Sequence, residues 1–178
     1  MATDRIIIVG AGPCGLVTAS YLASEGVPVL LIEALEAVPD DLRASTFHPP
    51  TLDFLDRFGI TDLLIANGLV CPHWQFRDRK QGAIATFDLK HLAGETRHPY
   101  RLQCEQWKLT RILRDRLEKD PKAQIIYQSK AVGVEQTADG VTLVCEHQTR
   151  GIERHQGRFL IASDGAHSAV RRSLDIEF

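Results

Sequence analysis

The sequence has few of the residue patterns that bind metals or build disulfide frameworks. Its seven histidines show no H-E-x-x-H or comparable ligand spacing, and its four cysteines form no C-x-x-C pair. A zinc site and a disulfide framework are therefore not indicated. We expect reduced structural thiols at all four cysteines, which are Cys14, Cys71, Cys104 and Cys145.

Long apolar runs and an excess of one charge are also missing. No run approaches the length of a membrane span, and the N-terminus lacks a basic region followed by an apolar stretch of about 7 to 15 residues. With 21 basic and 23 acidic residues the net charge is -2, which gives no reason to expect nucleic acid or an anionic membrane as partner. The 178 residues, 44% of them hydrophobic, suffice for a substantial core. We expect a cytoplasmic protein.

The first fifteen residues predict a strand, a glycine turn and a helix. The apolar run Ile6–Val9 leads directly into the sequence G-A-G-P-C-G. Gly10 permits a turn too tight for a Cβ, Gly12 lets the backbone approach a pyrophosphate, and Gly15 lets the helix pack against the strand. Pro13 suits the first helical turn, where its missing N–H costs nothing. The free N–H groups of this helix N-terminus would face a diphosphate.

A second buried strand and an acidic residue follow. Apolar and small residues recur at helical spacing as far as Gly26, and Val27 to Ile32 is predicted as a strand. Glu33 comes next, 18 positions after Gly15. An acid at this point accepts hydrogen bonds from a ribose and repels a 2′-phosphate, so the pattern favours FAD or NAD over NADP. The alternative is a plain βαβ unit with a solvated glutamate.

Two further helices and a polar loop are predicted beyond Glu33. The loop over residues 37–43 carries Arg43, which either reaches back to a bound diphosphate or is simply solvated. Pro49-Pro50 opens one helix, which Gly59 ends. An amphipathic helix begins at Gln106 and stops at Asp120-Pro121.

The remaining segments have β character. Residues 71–89 predict a hairpin whose aromatic residues either line a substrate pocket or pack within the sheet, the second being more common. Strands are predicted over 123–127, 130–136 and 141–147, and together they should form a small meander lying over the parallel sheet. Residues 91–100 are expected to be irregular.

A second strand, turn and helix follow the meander. Residues 159–162 form an apolar run, and the turn that follows contains Asp164 and Gly165. Another helix N-terminus is therefore expected to point at the cofactor. The alternative role for Asp164 is that of an ordinary helix cap.

Together these segments resemble the FAD-dependent aromatic hydroxylases, the single-component flavoprotein monooxygenases typified by para-hydroxybenzoate hydroxylase. The similar motifs are the glycine turn with Glu33, the Arg43 loop with the helix over 51–59, the Gln106 helix, and residues 162–172 with their Asp-Gly pair. The resemblance covers essentially the whole chain. The combination is far more specific than any single motif.

The resemblance implies roles for particular residues. Glu33 would hold the adenosine ribose, and Arg43 and Gln106 would contact FAD near the diphosphate and the ribityl chain. Val132 would offer backbone contacts to the adenine. Asp164 would serve both flavin binding and the NAD(P)H that reduces the flavin.

The implied fold class is α/β. Residues 1–70 and 100–178 would form a Rossmann-like FAD-binding domain with a parallel sheet, helices and a small antiparallel meander. Residues 71–99 would be a hairpin insertion that begins a β-rich substrate domain. The family carries a later Gly-Asp motif that is not reached before Phe178, so we expect this chain to be the N-terminal part of such an enzyme.

The implied reaction is hydroxylation of an aromatic, phenolic small molecule with NAD(P)H and O2, through a flavin C4a-hydroperoxide. The flavin supplies the hard chemistry, while the protein positions the ring and excludes water. No catalytic acid or base can be named from this sequence, and no metal is expected. The alternatives are a related flavoprotein such as an epoxidase, halogenase or reductase, an NAD-dependent dehydrogenase, and an inactive nucleotide-binding fragment.

Overall fold

The computed structural model describes residues 4–40 and 44–177, and the chain divides into two compact units. The first unit comprises Met1–Pro39 with Thr110–Phe178, and the second comprises Asp40–Leu109. The strands are β1 (Ile6–Val9), β2 (Val29–Ile32), β3 (Thr46–Phe47), β4 (Leu69–Cys71), β5 (His73–Asp78), β6 (Gly82–Asp88), β7 (Arg101–Gln103), β8 (Ala123–Ile126), β9 (Ser129–Thr137), β10 (Gly140–His147), β11 (Gly151–Gly157) and β12 (Phe159–Ala162). The helices are α1 (Pro13–Ser24), α2 (Pro49–Asp56), α3 (Thr61–Ile65), α4 (Gln106–Leu117) and α5 (Ala169–Ser173), with a 3-10 helix over Leu89–Leu92.

A parallel sheet forms the centre of the first unit. Its four strands lie in the order β12-β1-β2-β8, which is the order of the first four strands in a doubly wound dinucleotide-binding sheet. Ile7 and Ile8 on β1 are fully buried, and all four residues of β2 are buried. The apolar runs therefore predicted these strands correctly, because strands covered on both faces need apolar residues at successive positions.

The two faces of this sheet are covered by different elements. Ile7 and Leu30 face a core that also contains Leu143 and Cys145 of the meander and Val170 of α5. Helix α1 packs against β1 and β2 and buries Leu16, Ala19 and Ala23 among its residues. The α/β class is thus confirmed, and the meander lies over the parallel sheet as predicted.

The predicted membership of the meander is wrong in one strand. Residues 123–127 were expected in it, but β8 pairs in parallel with β2, Val29 lying opposite Ala123 and Ile32 opposite Ile126. The third meander strand is instead β11, which pairs antiparallel with β10. Two physical reasons explain the error. Strand β8 is an edge strand that is only partly buried, and β11 contains a single aliphatic residue, Ile152, so neither shows a clear hydrophobic period.

The second unit has its own small core. A three-stranded sheet in the order β3-β7-β4 accompanies α2 and α3, and Leu52, Ile60, Leu64 and Leu102 are fully buried. The Thr61 hydroxyl donates to the carbonyl of Leu52 over 2.6 Å, which ties α3 to α2. Helix α3 was not predicted, because five residues give too little periodicity to detect.

The predicted hairpin is formed by β5 and β6. Every residue of β5 is exposed, and Trp74 on β5 stacks on Phe87 opposite it, with ring centroids 5.2 Å apart. Phe76 keeps 58% of its surface exposed. The two strands therefore pack on each other through a cross-strand aromatic pair, as the more common alternative predicted, and most of the hairpin surface stays open to solvent.

The four cysteines are free thiols. Burial raises the pKa of the Cys104 and Cys145 thiols above the ordinary value, which keeps both protonated at neutral pH. None of the helices in residues 4–40 and 44–177 has the length and apolarity needed to cross a membrane.

Candidate cofactor site

The turn after β1 requires glycine at its first and last motif positions. Gly10 has a φ of +97°, and a Cβ built on it would stand 2.5 Å from the backbone oxygen of Ser163. A Cβ on Gly15 would lie 1.8 Å from the backbone oxygen of Gly10. Both distances are impossible contacts with main-chain atoms, so a side chain at either position would push the turn apart.

Gly12 is a glycine for a different reason. Its backbone is extended, with a φ of -70°, and a Cβ built on it would meet no atom of the described residues within 4 Å. It precedes Pro13, the first residue of α1, and no side chain in the described part of the chain caps this helix N-terminus. The turn thus presents an open surface and the positive end of a 12-residue helix, which together favour an anionic group.

Glu33 lies beside the glycine turn, as the sequence predicted. Its side chain is buried, and Oε2 accepts a hydrogen bond of 2.7 Å from the N–H of Ala11. Oε1 accepts a bond of 2.9 Å from the N–H of Leu35. Each carboxylate oxygen has two lone pairs, so both keep capacity for ribose hydroxyls. The carboxylate also anchors the glycine turn, a contact that sequence reasoning missed.

The turn after β12 meets the turn after β1. The Ser163 hydroxyl donates to the carbonyl of Val9 over 2.9 Å and, more weakly, to that of Gly10 over 3.4 Å. The Ser163 N–H donates to the same Val9 carbonyl over 2.8 Å. Asp164 follows directly, so the structure brings the Asp-Gly turn to the glycine turn. No sequence pattern predicts the bridging role of Ser163.

The N-terminus of α5, the helix after the second turn, is capped by side chains of the chain itself. Asp164 Oδ2 accepts hydrogen bonds from the N–H groups of Ala169 and Val170, at 2.8 and 3.3 Å. Ser168 Oγ accepts from the N–H of Arg171 at 3.0 Å. The first N–H groups of α5 are therefore satisfied by the chain itself, and the helix-cap role of Asp164 is real. Its other oxygen, Oδ1, is buried and has no hydrogen-bond partner within residues 4–40 and 44–177.

Val132 lies on β9 at an irregularity in the strand pairing. The pairing with β10 passes from Ala131 opposite Cys145 to Gly133 opposite Val144, so Val132 is the extra residue of a β-bulge. Strand β9 begins at Ser129, whose N–H donates to the carbonyl of Glu33 over 2.9 Å. Val132 therefore stands three residues beyond a direct contact with the Glu33 backbone.

Arg43 and Gln106 are the two remaining predicted site residues. Arg43 is outside the described residues. Gln106 belongs to the second unit, where it begins α4 and its N–H donates to the carbonyl of Ala44 over 2.9 Å. The residues gathered in the first unit are Gly10, Gly12, Pro13, Gly15, Glu33, Val132 and Asp164.

Tyr127 is a further residue near this site that sequence reasoning missed. Its hydroxyl donates to Glu118 Oε1 over 3.2 Å. Burial, and then the negative charge of Glu118, raise the pKa of Tyr127 to about 12, and the charge of Glu33 contributes in the same direction. The phenol therefore stays protonated at neutral pH.

The residues present suit a dinucleotide that carries phosphates and hydroxyl groups. The open turn at Gly12 suits a diphosphate, and the Glu33 carboxylate suits ribose hydroxyls. Asp164 Oδ1, which accepts no hydrogen bond from the described residues, needs a donor, and a further hydroxyl group of the dinucleotide would supply one.

The comparison with protein families agrees with this geometry. The family model described as "FAD binding domain" matches residues 3–178. The chain belongs to this FAD-binding family. FAD is thus the indicated cofactor of a domain whose glycine turn, Glu33 and Asp164 converge in one unit.

Curated relatives of this FAD-binding domain are monooxygenases by name. It is 37% identical over 171 residues to 6-hydroxy-3-succinoylpyridine 3-monooxygenase from Pseudomonas putida, covering 96% of this chain and 43% of the relative. It is 32% identical over 175 residues to para-nitrophenol 4-monooxygenase from a Pseudomonas species, covering 98% of this chain and 43% of the relative. The chain therefore spans less than half the length of these proteins.

Solved structures show the same fold. The crystal structure of p-nitrophenol 4-monooxygenase from Pseudomonas putida superposes with a TM-score of 0.91 at 32% identity, covering 98% of this chain and 44% of that one. The flavin-dependent monooxygenase PieE, solved in complex with FAD and substrate, superposes with a TM-score of 0.82 at 25% identity, covering 97% and 32%. The predicted family resemblance is confirmed.

Proposed function

We propose that the first unit binds FAD through the residues gathered at the glycine turn. The diphosphate would lie at the N-terminus of α1 near Gly12 and Pro13, and Glu33 would accept hydrogen bonds from the adenosine ribose. The bulged backbone at Val132 would contact the adenine, and Asp164 Oδ1 would accept from a ribityl hydroxyl. This proposal rests on one observation. The surface at Gly12 is open, and beside it the buried carboxylate of Glu33 is hydrogen-bonded to the same turn.

Arg43 and Gln106 complete the proposed set of FAD contacts. An arginine supplies a planar, always charged partner for a diphosphate, and a glutamine supplies both a donor and an acceptor for the ribityl chain. These two assignments rest on the family resemblance at the matching positions of the sequence.

We further propose that the protein is an aromatic monooxygenase that uses NAD(P)H and O2. When bound, FAD accepts reducing equivalents and activates oxygen, while the protein binds, orients and shields the reactants. Support comes from the two curated relatives and from the fold shared with flavin-dependent monooxygenases. The phenolic substrate class, the nicotinamide reductant and the cytoplasmic location predicted from the sequence stay predictions.

The β5-β6 hairpin is proposed to begin a substrate domain over residues 71–99. Its strands pair so that Trp74, Phe76, Ala85 and Phe87 share one face. An isolated two-stranded hairpin is marginally stable in water, so an exposed face with three aromatic rings is expected to pack against further protein.

Reconstitution with FAD tests the proposed cofactor. The purified chain is mixed with FAD, passed through a gel-filtration column and examined for flavin absorbance, at roughly 450 nm, in the protein peak. We expect a yellow protein peak. A colourless peak from protein with the circular dichroism of a folded α/β domain would overturn the proposal.

Coenzyme oxidation tests the proposed reaction. Flavin-loaded protein is supplied with NADH or NADPH and O2, with and without para-nitrophenol or 6-hydroxy-3-succinoylpyridine, the compounds named in the two relatives. We expect an aromatic compound to accelerate coenzyme oxidation and to yield a hydroxylated product. If neither compound accelerates oxidation by yellow protein, the hydroxylase assignment loses its support while the FAD assignment stands.

A further inference from the structure

Ser163 joins the two turns of the candidate site by a side-chain contact. Its hydroxyl lies 2.9 Å from the carbonyl oxygen of Val9 and 3.4 Å from that of Gly10. The hydroxyl has one proton, so the shorter bond to Val9 is the main one and the longer contact to Gly10 is secondary. The main-chain N–H of Ser163 bonds the same Val9 carbonyl, so the hydroxyl adds a second link where the sheet ladder already holds the strands together.

The glycine motif leaves room for this hydroxyl. A Cβ on Gly15 would lie 2.9 Å from Ser163 Oγ, and a Cβ on Gly10 would lie 2.5 Å from the Ser163 backbone oxygen. Ser163 therefore fills the space that the first and third glycines of the motif leave open. The side chain is placed in the crevice of the turn and takes no part in capping α5, which Asp164 and Ser168 perform.

We infer that Ser163 is a positioning residue, which holds the glycine turn in its binding conformation and in register with Asp164 before FAD arrives. This inference rests on the proposed binding of FAD. Ser163 itself acts on the backbone of Val9 and Gly10, and these in turn set the position of Gly12. A turn that is already ordered loses less conformational freedom on binding, so its affinity for the cofactor is higher.

The variant Ser163→Ala isolates the hydroxyl. It removes the side-chain bond and keeps the main-chain N–H bond to Val9, so the strands stay paired and only the turn loosens. A single neutral hydrogen bond of this kind changes an equilibrium by about three- to tenfold. We expect the Kd for FAD to rise by that factor.

A matched control is available at the other end of α1. The Ser24 hydroxyl also donates to a main-chain carbonyl, that of Tyr21, over 2.7 Å. Ser24→Ala removes a bond of the same chemistry at the helix C-terminus. We expect it to leave the Kd for FAD unchanged.

The experiment combines FAD titration with amide hydrogen exchange on wild type, Ser163→Ala and Ser24→Ala. Titration follows quenching of flavin fluorescence, and exchange is measured without FAD at Ala11 in the turn and at Leu143 in the meander. We expect Ser163→Ala alone to raise the Kd and to speed exchange at Ala11 while leaving Leu143 unchanged.

Three results would tell against this role or its basis. An unchanged Kd in Ser163→Ala, with wild type binding FAD normally, overturns the inference alone. Faster exchange at Leu143 as well as Ala11 shows a general loss of stability and overturns it too. If wild type itself fails to bind FAD, the proposed function fails and this inference fails with it.

Discussion

Two strand-turn-helix segments meet at the candidate site, and they treat their helix N-termini in opposite ways. After β1, the turn contains Gly10, Gly12 and Pro13, and none of the side chains that the structure describes caps α1. After β12, the turn contains Asp164, which together with Ser168 occupies the first N–H groups of α5. The same order of elements thus produces one open helix end and one closed end.

This difference determines which chemical groups each turn can bind. Open N–H groups and a positive helix end attract phosphates, so the first turn suits the diphosphate. The second turn offers a carboxylate oxygen, Asp164 Oδ1, which repels phosphates and accepts bonds from hydroxyl groups. A dinucleotide with phosphates beside hydroxyls matches the two turns together. The chemical group that a turn can bind therefore depends on whether the turn contains a side-chain acceptor. The strand-turn-helix pattern alone does not determine it.

The substitution Gly15→Ala is expected to disrupt the first turn and to have the largest effect on the free energy of unfolding. The new methyl group would stand 1.8 Å from the Gly10 carbonyl oxygen, so helix and strand must separate. We expect the free energy of unfolding to fall by about 3 kcal/mol, as for other overpacked core positions. Urea denaturation followed by circular dichroism measures it, and a loss below about 1 kcal/mol would show that the turn yields easily.

Glu33→Gln tests the carboxylate that anchors the first turn. The charged acceptor of two buried N–H bonds becomes a neutral amide, whose NH₂ group cannot accept from Ala11 or Leu35. Loss of a charge-assisted bond leads us to expect about 2 kcal/mol less stability without FAD. The exposed Glu36→Gln is the matched control, expected within about 0.5 kcal/mol of wild type. Equal stability of both variants would contradict the anchoring role.

Gly12→Ala separates cofactor binding from folding at the open turn. The methyl group would enter the open surface where the diphosphate is proposed, without touching protein atoms. We expect a tenfold or greater rise in the Kd for FAD, equivalent to about 1.4 kcal/mol, with less than about 1 kcal/mol lost in unfolding. Flavin fluorescence titration and urea denaturation measure the two quantities. Unchanged affinity would place the diphosphate elsewhere.

Asp164→Ala and Ser168→Ala compare two caps of the same short helix. Each removes a side-chain acceptor from the N-terminus of α5, so each should lower the free energy of unfolding by about 1 kcal/mol. Of the two variants, only Asp164→Ala should also weaken FAD binding, because Asp164 Oδ1 is buried and accepts no hydrogen bond from the described residues, whereas Ser168 has no such oxygen. Equal loss of affinity in both would mean that Asp164 acts on FAD solely by capping α5.

The smallest expected effect concerns Tyr127, whose pKa is raised by burial and then by the negative charge of Glu118. The folded pKa of about 12 exceeds the ordinary value of 10.0, so the phenol stabilises the fold below pH 10. This contribution disappears as the pH rises from 10 towards 12. Tyr127→Phe should lack that decline in the urea midpoint. Identical pH profiles for the two proteins would contradict the assigned pKa.

The sequence predicted the elements with a continuous or periodic apolar pattern and missed those without one. Strands β1, β2 and β12 and helix α1 gave continuous or periodic apolar signals. Strand β11 and helix α3 gave none, because β11 is mostly polar and α3 has only five residues. Element length and apolar content separated the two groups.

At the site, sequence reasoning singled out Glu33 and Asp164, including the cap role of Asp164, but missed the hydrogen bonds that Glu33 and Ser163 make to the glycine turn. Glu33 follows a strand at the distance from the glycine turn that is typical of dinucleotide-binding folds, so its position was predictable. The Glu33 bond to Ala11 and the Ser163 bond to Val9 join residues 22 and 154 positions apart. No local period or motif encodes such contacts, since they arise only when distant strands pair.

The long separation between Ser163 and Val9 has a consequence for how the protein is made. During synthesis the glycine motif leaves the ribosome early, but its partner strand emerges about 150 residues later. Until β12 emerges, one edge of β1 lacks its partner strand, and the nascent chain contains only the first of the two turns of the candidate site. Because the candidate site needs both turns, the proposed flavin would find a complete site only after β12 has paired with β1.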